Sequence, residues 1–243
     1  MRLSAGSRIS AEKKMELSMT ELILAVANKA YSSWSLRGWL ALKLTGAPFT
    51  EVVVPLREPA TRTEILKYSP SAKLPALIDG DVTVWESLAI VEYLAEKYPN
   101  APIWPQATAA RAHARAIASE MHGDMIPLRR ALPMNLRHKL PCPALTDPVQ
   151  ADINRVQSIW REARRRFDGT LGEGPFLFGD FSGADAMFAP VAARFDTFGV
   201  ALEDHAAAYV AAVMEHPLMT EWRKDALREP WIIPEFEPDN TTE

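Results

Sequence analysis

The chain has 243 residues, 48% hydrophobic and 24% charged, with a formal net charge of −4. That balance suits a chain that buries a core, and its sign disfavours nucleic acid or an anionic membrane as partner. Five His, one Cys and 11 Gly leave little material for a metal cluster or a Gly-rich phosphate cradle. A single cysteine, Cys142, excludes an intrachain disulfide and suits a reducing cytosol.

Residues 1–19 are polar, contain Met15 and Met19, and lack the apolar run of a secretory signal. They read as a disordered leader or an upstream start, outside the fold. No later window is long and apolar enough to span a bilayer. Residues 21–26, ELILAV, read as a short buried strand. After a polar segment at 31–37, Leu36, Trp39, Leu40 and Leu44 recur at helical spacing, and Gly46 and Pro48 stop that helix. Residues 50–54 make a β-branched second strand closed by Pro55, so the crossover between the two strands is right-handed. A more polar helix follows at 60–68 and ends before Ser69-Pro70. Asp79-Gly80 separates LPALI at 74–78 from VTVW at 82–85, a strong hairpin signal. Ser87 is a good N-cap for a helix carrying Leu88, Val91, Leu94 and Ala95. The order β-α-β-α-β-β-α is thioredoxin-like.

Residues 98–106 contain Pro99, Pro102 and Pro105 and show no periodicity, which marks a domain boundary. The expected organisation is a leader at 1–19, a thioredoxin-like domain at 20–100 and an all-helical domain at 107–243. Asp147-Pro148-Val149-Gln150 combines an N-cap, a first-turn proline and a capping-box partner. Val149, Ile153, Val156, Trp160, Ala163 and Phe167 then line one face of a long helix. Ser182-Gly183-Ala184-Asp185 opens another, lined by Phe188, Val191, Ala192 and Phe195. Arg161, Arg164, Arg165 and Arg166 read as a solvated helix face. Met121, Met125, Met134 and Trp39 read as core. His113 and His122, near Arg111 and Arg115, read as surface or satisfied core residues.

Three segments carry a resemblance. Tyr31-Ser32-Ser33-Trp34-Ser35-Leu36-Arg37 looks like the Ser-Ser-Cys-Ser-x-Arg motif of zeta-class glutathione transferases, the family that includes maleylacetoacetate isomerases. Lys73-Leu74-Pro75-Ala76-Leu77 resembles that family's cis-proline loop before the third strand, and Trp85-Glu86-Ser87-Leu88-Ala89-Ile90 resembles its Glu/Gln-Ser-x-Ala-Ile step into helix three. The match is good from residue 20 to about 99 and looser beyond. It implies the glutathione transferase fold, an α/β thioredoxin-like domain followed by an all-α domain. It also implies glutathione as co-substrate, a small electrophile as second substrate, and a cytoplasmic homodimer.

The chemistry that such a motif must perform is thiol activation. A free thiol with pKa near ~8.5 is only about 3% ionised at pH 7, and lowering it by ~2 units, roughly 2.7 kcal/mol, makes most of it reactive. A serine hydroxyl at a helix N-terminus can supply that shift. Ser32 and Ser33 both qualify: the zeta motif favours Ser32, and counting four back from Arg37 favours Ser33. By resemblance the Leu74 backbone, turned outward by Pro75, pairs with the cysteinyl backbone. Glu86 holds the γ-glutamyl ammonium, Ser87 and its helix start hold the adjacent carboxylate, and Lys73 approaches the glycyl carboxylate. The plainer alternatives are an N-cap at Ser87 and a polar turn at Ser32, Ser33 and Ser35. Asp185 resembles the family's folding-related capping aspartate. Trp34 replaces the motif's Cys and so reshapes the pocket beside the sulfur, and no cysteine lies near helix one to make a glutaredoxin. The expected activity is transfer of the glutathione thiolate to an electrophile, with a pocket between helix one and the first helix of the second domain. The alternatives are a maleylacetoacetate- or maleylpyruvate-type isomerase and a non-catalytic binding or regulatory protein.

Overall fold

The computed structural model describes residues 22–238, so the 1–19 leader and Glu21, the first residue of the expected first strand, lie outside the described residues. β1 (Leu22–Val26) is the buried spine of a four-stranded sheet ordered β2-β1-β3-β4. β2 (Phe49–Val53) runs parallel to it, and β3 (Ala76–Asp79) and the edge strand β4 (Val82–Trp85) follow antiparallel. Asp79 pairs with Val82, so the hairpin turn is Gly80-Asp81, one residue later than the Asp79-Gly80 signal suggests. Gly80 takes φ 58°, which a side chain disfavours. Asp79 instead ends the strand, buried, and accepts hydrogen bonds from the Tyr93 hydroxyl (2.5 Å) and the Lys97 ammonium.

α1 (Ser33–Leu44) makes the crossover from β1 to β2. Its Gly38 faces Pro75: a Cβ there would lie 3.1 Å from Pro75 Cγ, so the missing side chain lets α1 ride directly on the cis Leu74–Pro75 peptide. α2 (Thr61–Ile65) is shorter than the expected 60–68 helix, the remainder being turns. α3 (Ser87–Lys97) returns along the sheet and buries Ile90, Val91 and Leu94.

The second half is helical: α4 (Thr108–Gly123), α5 (Ile126–Ala131), α6 (Asp147–Phe167), α7 (Gly183–Phe198), α8 (Asp204–Glu215) and α9 (Pro217–Ala226), then a 3₁₀ turn, Pro234–Phe236. α7 is buried at every position but Asp196, the signature of a central helix, and packs against α1. Asp185 accepts from the Ser182 backbone N–H (2.9 Å) and hydroxyl (2.7 Å), from the Leu177 N–H (3.1 Å) and from the Tyr209 hydroxyl (3.0 Å). That is a structural role, as expected. The proline-rich 98–106 segment is pinned to this helix: Ile103 and Trp104 are buried, and the Gly183 N–H donates to Ile103 O at 2.8 Å.

α6 buries its expected apolar face but starts one residue off. Thr146 is the N-cap, Asp147 is already helical, and Gln150 donates to Asn154 Oδ1 (2.9 Å) instead of closing a capping box. Pro148 brings a preset φ to the first turn, where its missing N–H costs no helical bond. Arg161, Arg164 and Arg166 pair with Glu203, Asp168 and Glu162 on the solvated side. Among the described residues no helix is long and apolar enough to cross a membrane.

Candidate active site at the start of α1

A cavity of about 390 Å³ opens where α1 begins, lined by Ser32, Trp34, Lys73, Leu74, Pro75 and Glu86 among others. Three chain segments far apart in sequence therefore meet in one place.

Ser32 is the N-cap of α1. Its hydroxyl oxygen accepts from the Ser35 N–H (3.2 Å), and its O–H donates to Ser35 Oγ (2.8 Å). Ser35 Oγ in turn accepts from the Ala27 N–H at 2.9 Å, tying the pair to the end of β1. Ser35 thus anchors the turn and is more than a polar turn residue. The first turn of α1 carries no acidic residue, so its positive dipole end is not neutralised by a neighbour. Ser33 turns elsewhere: it is not on the cavity wall, and its Oγ accepts a long bond, 3.4 Å, from Arg194 Nη2 of α7. Tyr31 is committed as well. Its hydroxyl donates to Glu237 Oε1 at 2.6 Å, and burial, reinforced by that bond, pushes its pKa up to about 12.

Leu74 is half-buried beside the cis bond, and Lys73 is exposed at the rim. Glu86 sits at φ 69°, an uncommon place for a residue with a side chain, and occupies the N-cap position of α3 without a side-chain capping bond. Ser87 is the first helical residue, so the expectation that it is the N-cap is corrected. The chain leaves β4 through the positive-φ residue, and this advances the helix start by one. Ser87 is wholly buried, its hydroxyl has no hydrogen-bond partner, and it is not on the cavity wall. An orphaned hydroxyl of this kind is a cost that a partner would relieve.

Residues not singled out as functional complete the surroundings. Trp34 is half-buried, with the Arg37 and Arg129 guanidinium carbons 4.5 Å and 5.2 Å from its ring centroid and the His122 ring edge-on at 4.9 Å. His122, expected as a surface or core histidine, stands against Trp34 with Nε2 4.0 Å from Glu86 Oε2, beside the cavity wall and not on it. Arg37 and Arg194 are buried, and Arg37 Nε and Nη1, Arg129 Nε and Arg194 Nε have no hydrogen-bond partner. Among the described residues no carboxylate forms an ion pair with any of the three. Burial, with like-charge repulsion from Arg129, lowers Arg194 to about 9 and pushes Arg37 well down too. The one hint in sequence is MHGDMIPLRR at 121–130, where a histidine and two arginines flank a helix break. Among the described residues no group of His, Cys, Asp and Glu is placed to hold a metal ion.

The comparisons with known proteins give the family. A family model for the glutathione S-transferase N-terminal domain matches residues 31–97, and one for the C-terminal domain matches 150–225, together more than half of the chain. A probable maleylacetoacetate isomerase of Caenorhabditis elegans is 35% identical over 108 residues, 44% of this chain and 49% of the relative. The maleylacetoacetate isomerase of Pseudomonas aeruginosa is 28% identical over 205 residues, 76% of this chain and 92% of the relative. The Pseudomonas protein apart, the chain spans about half the length of the first curated relatives it matches. A crystal structure of a glutathione transferase homologue from Burkholderia, with bound glutathione, superposes with a TM-score of 0.63 at 24% identity, covering 85% of this chain and 98% of that one. That likeness shows a shared fold. The two domain models, in order and the first of them spanning the cavity residues from Ser32 to Glu86, establish that the chain belongs to the glutathione S-transferase family.

Proposed function

We propose that the chain is a glutathione transferase that binds glutathione in the 390 Å³ cavity, holds its sulfur as a thiolate on Ser32, and adds it to a small electrophile. One observation carries this reading. The capping hydroxyl of α1 opens onto the same cavity as the Leu74–Pro75 edge and the Glu86 carboxylate. The Leu74 backbone would pair with the cysteinyl unit, and Glu86 with the γ-glutamyl ammonium. The start of α3 would take the neighbouring carboxylate, with the orphaned Ser87 hydroxyl reaching it once the Glu86 side chain turns to the ammonium, and Lys73 the glycyl carboxylate. Ser32 is assigned over Ser33 because it lines the cavity and Ser33 does not; its O–H, given to Ser35 Oγ here, would turn to the sulfur. Trp34 forms the wall on the electrophile's side.

The reading includes a cytoplasmic homodimer, supported by cysteine usage and by the edge strand β4, where Val82 and Trp85 stay 45% and 40% exposed. Calorimetry tests glutathione binding, and Glu86→Ala should weaken it by roughly 1.5–3 kcal/mol through loss of a charged hydrogen bond. Millimolar glutathione that gives neither heat nor a melting shift overturns the reading.

A second reading, a maleylacetoacetate-type isomerase, has in its favour three arginines near Trp34 and Ser33, two of them buried. Guanidiniums beside Ser33 and Trp34 without a carboxylate partner suit an acceptor that brings its own carboxylates. Trp34, in place of the motif's Cys, counts the other way. Comparing glutathione-dependent isomerisation of maleylacetoacetate with conjugation of a neutral electrophile separates the two.

A further inference from the structure

Glu86 does not face the cavity mouth alone. His122, in the last turn of α4, places Nε2 4.0 Å from Glu86 Oε2. That gap is too wide for a hydrogen bond between the two groups, yet one atom at ordinary donor distance, about 2.8–2.9 Å, reaches both. A primary ammonium offers three donors spread tetrahedrally, so it can serve two such acceptors at once.

The other side of the ring supports Nε2 as an acceptor. Nδ1 is buried and has no hydrogen-bond partner among nitrogen and oxygen atoms. The ring stands at 83° to the Trp34 indole, a geometry in which a ring N–H can point at an aromatic face. A proton on Nδ1 leaves the Nε2 lone pair free toward Glu86. The His122 carbonyl accepts from Arg129 Nη2 at 3.2 Å, fixing the backbone from α5. Burial and the Arg37 and Arg129 guanidiniums hold the imidazole pKa below its ordinary value, with Glu86 opposing them, which favours the neutral ring.

We propose that His122 and Glu86 form a two-point clamp for a primary ammonium, which in this protein is the γ-glutamyl amine of glutathione. This rests on the glutathione reading above and adds to it a binding residue contributed by the helical half. It also gives the positive φ of Glu86 a purpose: the backbone is bent where the carboxylate must meet an acceptor coming from α4.

The test uses two ligands on the full chain, glutathione and an analogue in which hydrogen replaces the γ-glutamyl amine. His122→Phe keeps a ring against Trp34 and removes the acceptor. It should weaken glutathione about tenfold and leave the analogue's affinity unchanged. His122→Gln, which restores an acceptor, should recover part of the loss and guards against a folding defect in the first variant. Equal weakening of both ligands, or no weakening of glutathione, overturns the clamp while the transferase reading stands. A wild-type protein that binds neither ligand overturns both.

Discussion

Two helices of this protein open on the same kind of sequence, a serine ahead of an apolar run, and they use it in opposite ways. At α7 the polar side chains of the start find partners inside the chain: Asp185 takes four hydrogen bonds, from Ser182 twice, from Leu177 and from Tyr209. At α3 the Ser87 hydroxyl is buried without a partner, and the Glu86 side chain stays 43% exposed at the cavity. A cap and a ligand site thus look alike as sequence. They differ in whether the partners are supplied from within.

The comparison breaks most visibly at Asp185. Asp185→Ala removes the shared acceptor and strands two hydroxyls and two N–H groups in the interior, so it should cost about 3–5 kcal/mol in denaturant unfolding. Glutathione affinity of the folded fraction should not change. A loss under about 1 kcal/mol would mean that α7 is not held by this network. Ser87→Ala should do the reverse. Deleting an orphaned hydroxyl leaves stability unchanged or slightly raised, while glutathione binding falls by about 1 kcal/mol, roughly fivefold. Lower stability with intact binding would make the start of α3 a plain cap after all.

Much of the fold was legible because its signals are local. The alternation around the β3–β4 turn, the helical spacing after Ser35 and the apolar stripe of α6 each fit in one short window. Helix starts were legible only to within a residue. Ser87 and Asp147 each sit one place inside the expected cap, because the cap position depends on the backbone angle of the residue before it, which the tertiary fold sets. The three glutathione motifs named the cavity walls. The rest of the site was hidden, because its contacts join distant positions: Arg37 meets Met121 84 residues away, and Ser33 meets Arg194 161 residues away. His122 was passed over for the same reason, since nothing in its own helix announces Trp34 or Glu86.

The smallest expected effect is on pH dependence. Burial depresses His113, His122 and His216 below their ordinary 6.5. The unfolded chain then binds more protons than the folded one below that pH, so the stabilisation is fully present above about 6.5 and declines as pH falls through the interval down to the folded values. Melting temperature should rise with pH across that interval and level off above it. A flat profile would show that these rings are not held neutral by the fold.

The central claim, that Ser32 holds the sulfur of glutathione as a thiolate, is tested most directly by titrating the ultraviolet absorbance of the bound thiol. The wild-type complex should show an apparent pKa well below the free value of ~8.5. Ser32→Ala should raise it by about 2 units and cut turnover about 10²-fold, with glutathione affinity nearly intact because the tripeptide is gripped elsewhere. The same variant loses the α1 cap, about 1 kcal/mol of stability, which unfolding measures separately. Ser35→Ala is no neutral control, since it removes the anchor of Ser32. Ser33→Ala is the proper comparison, and it should leave the titration where it was. A thiolate pKa that ignores Ser32→Ala, or that moves with Ser33→Ala instead, contradicts the account.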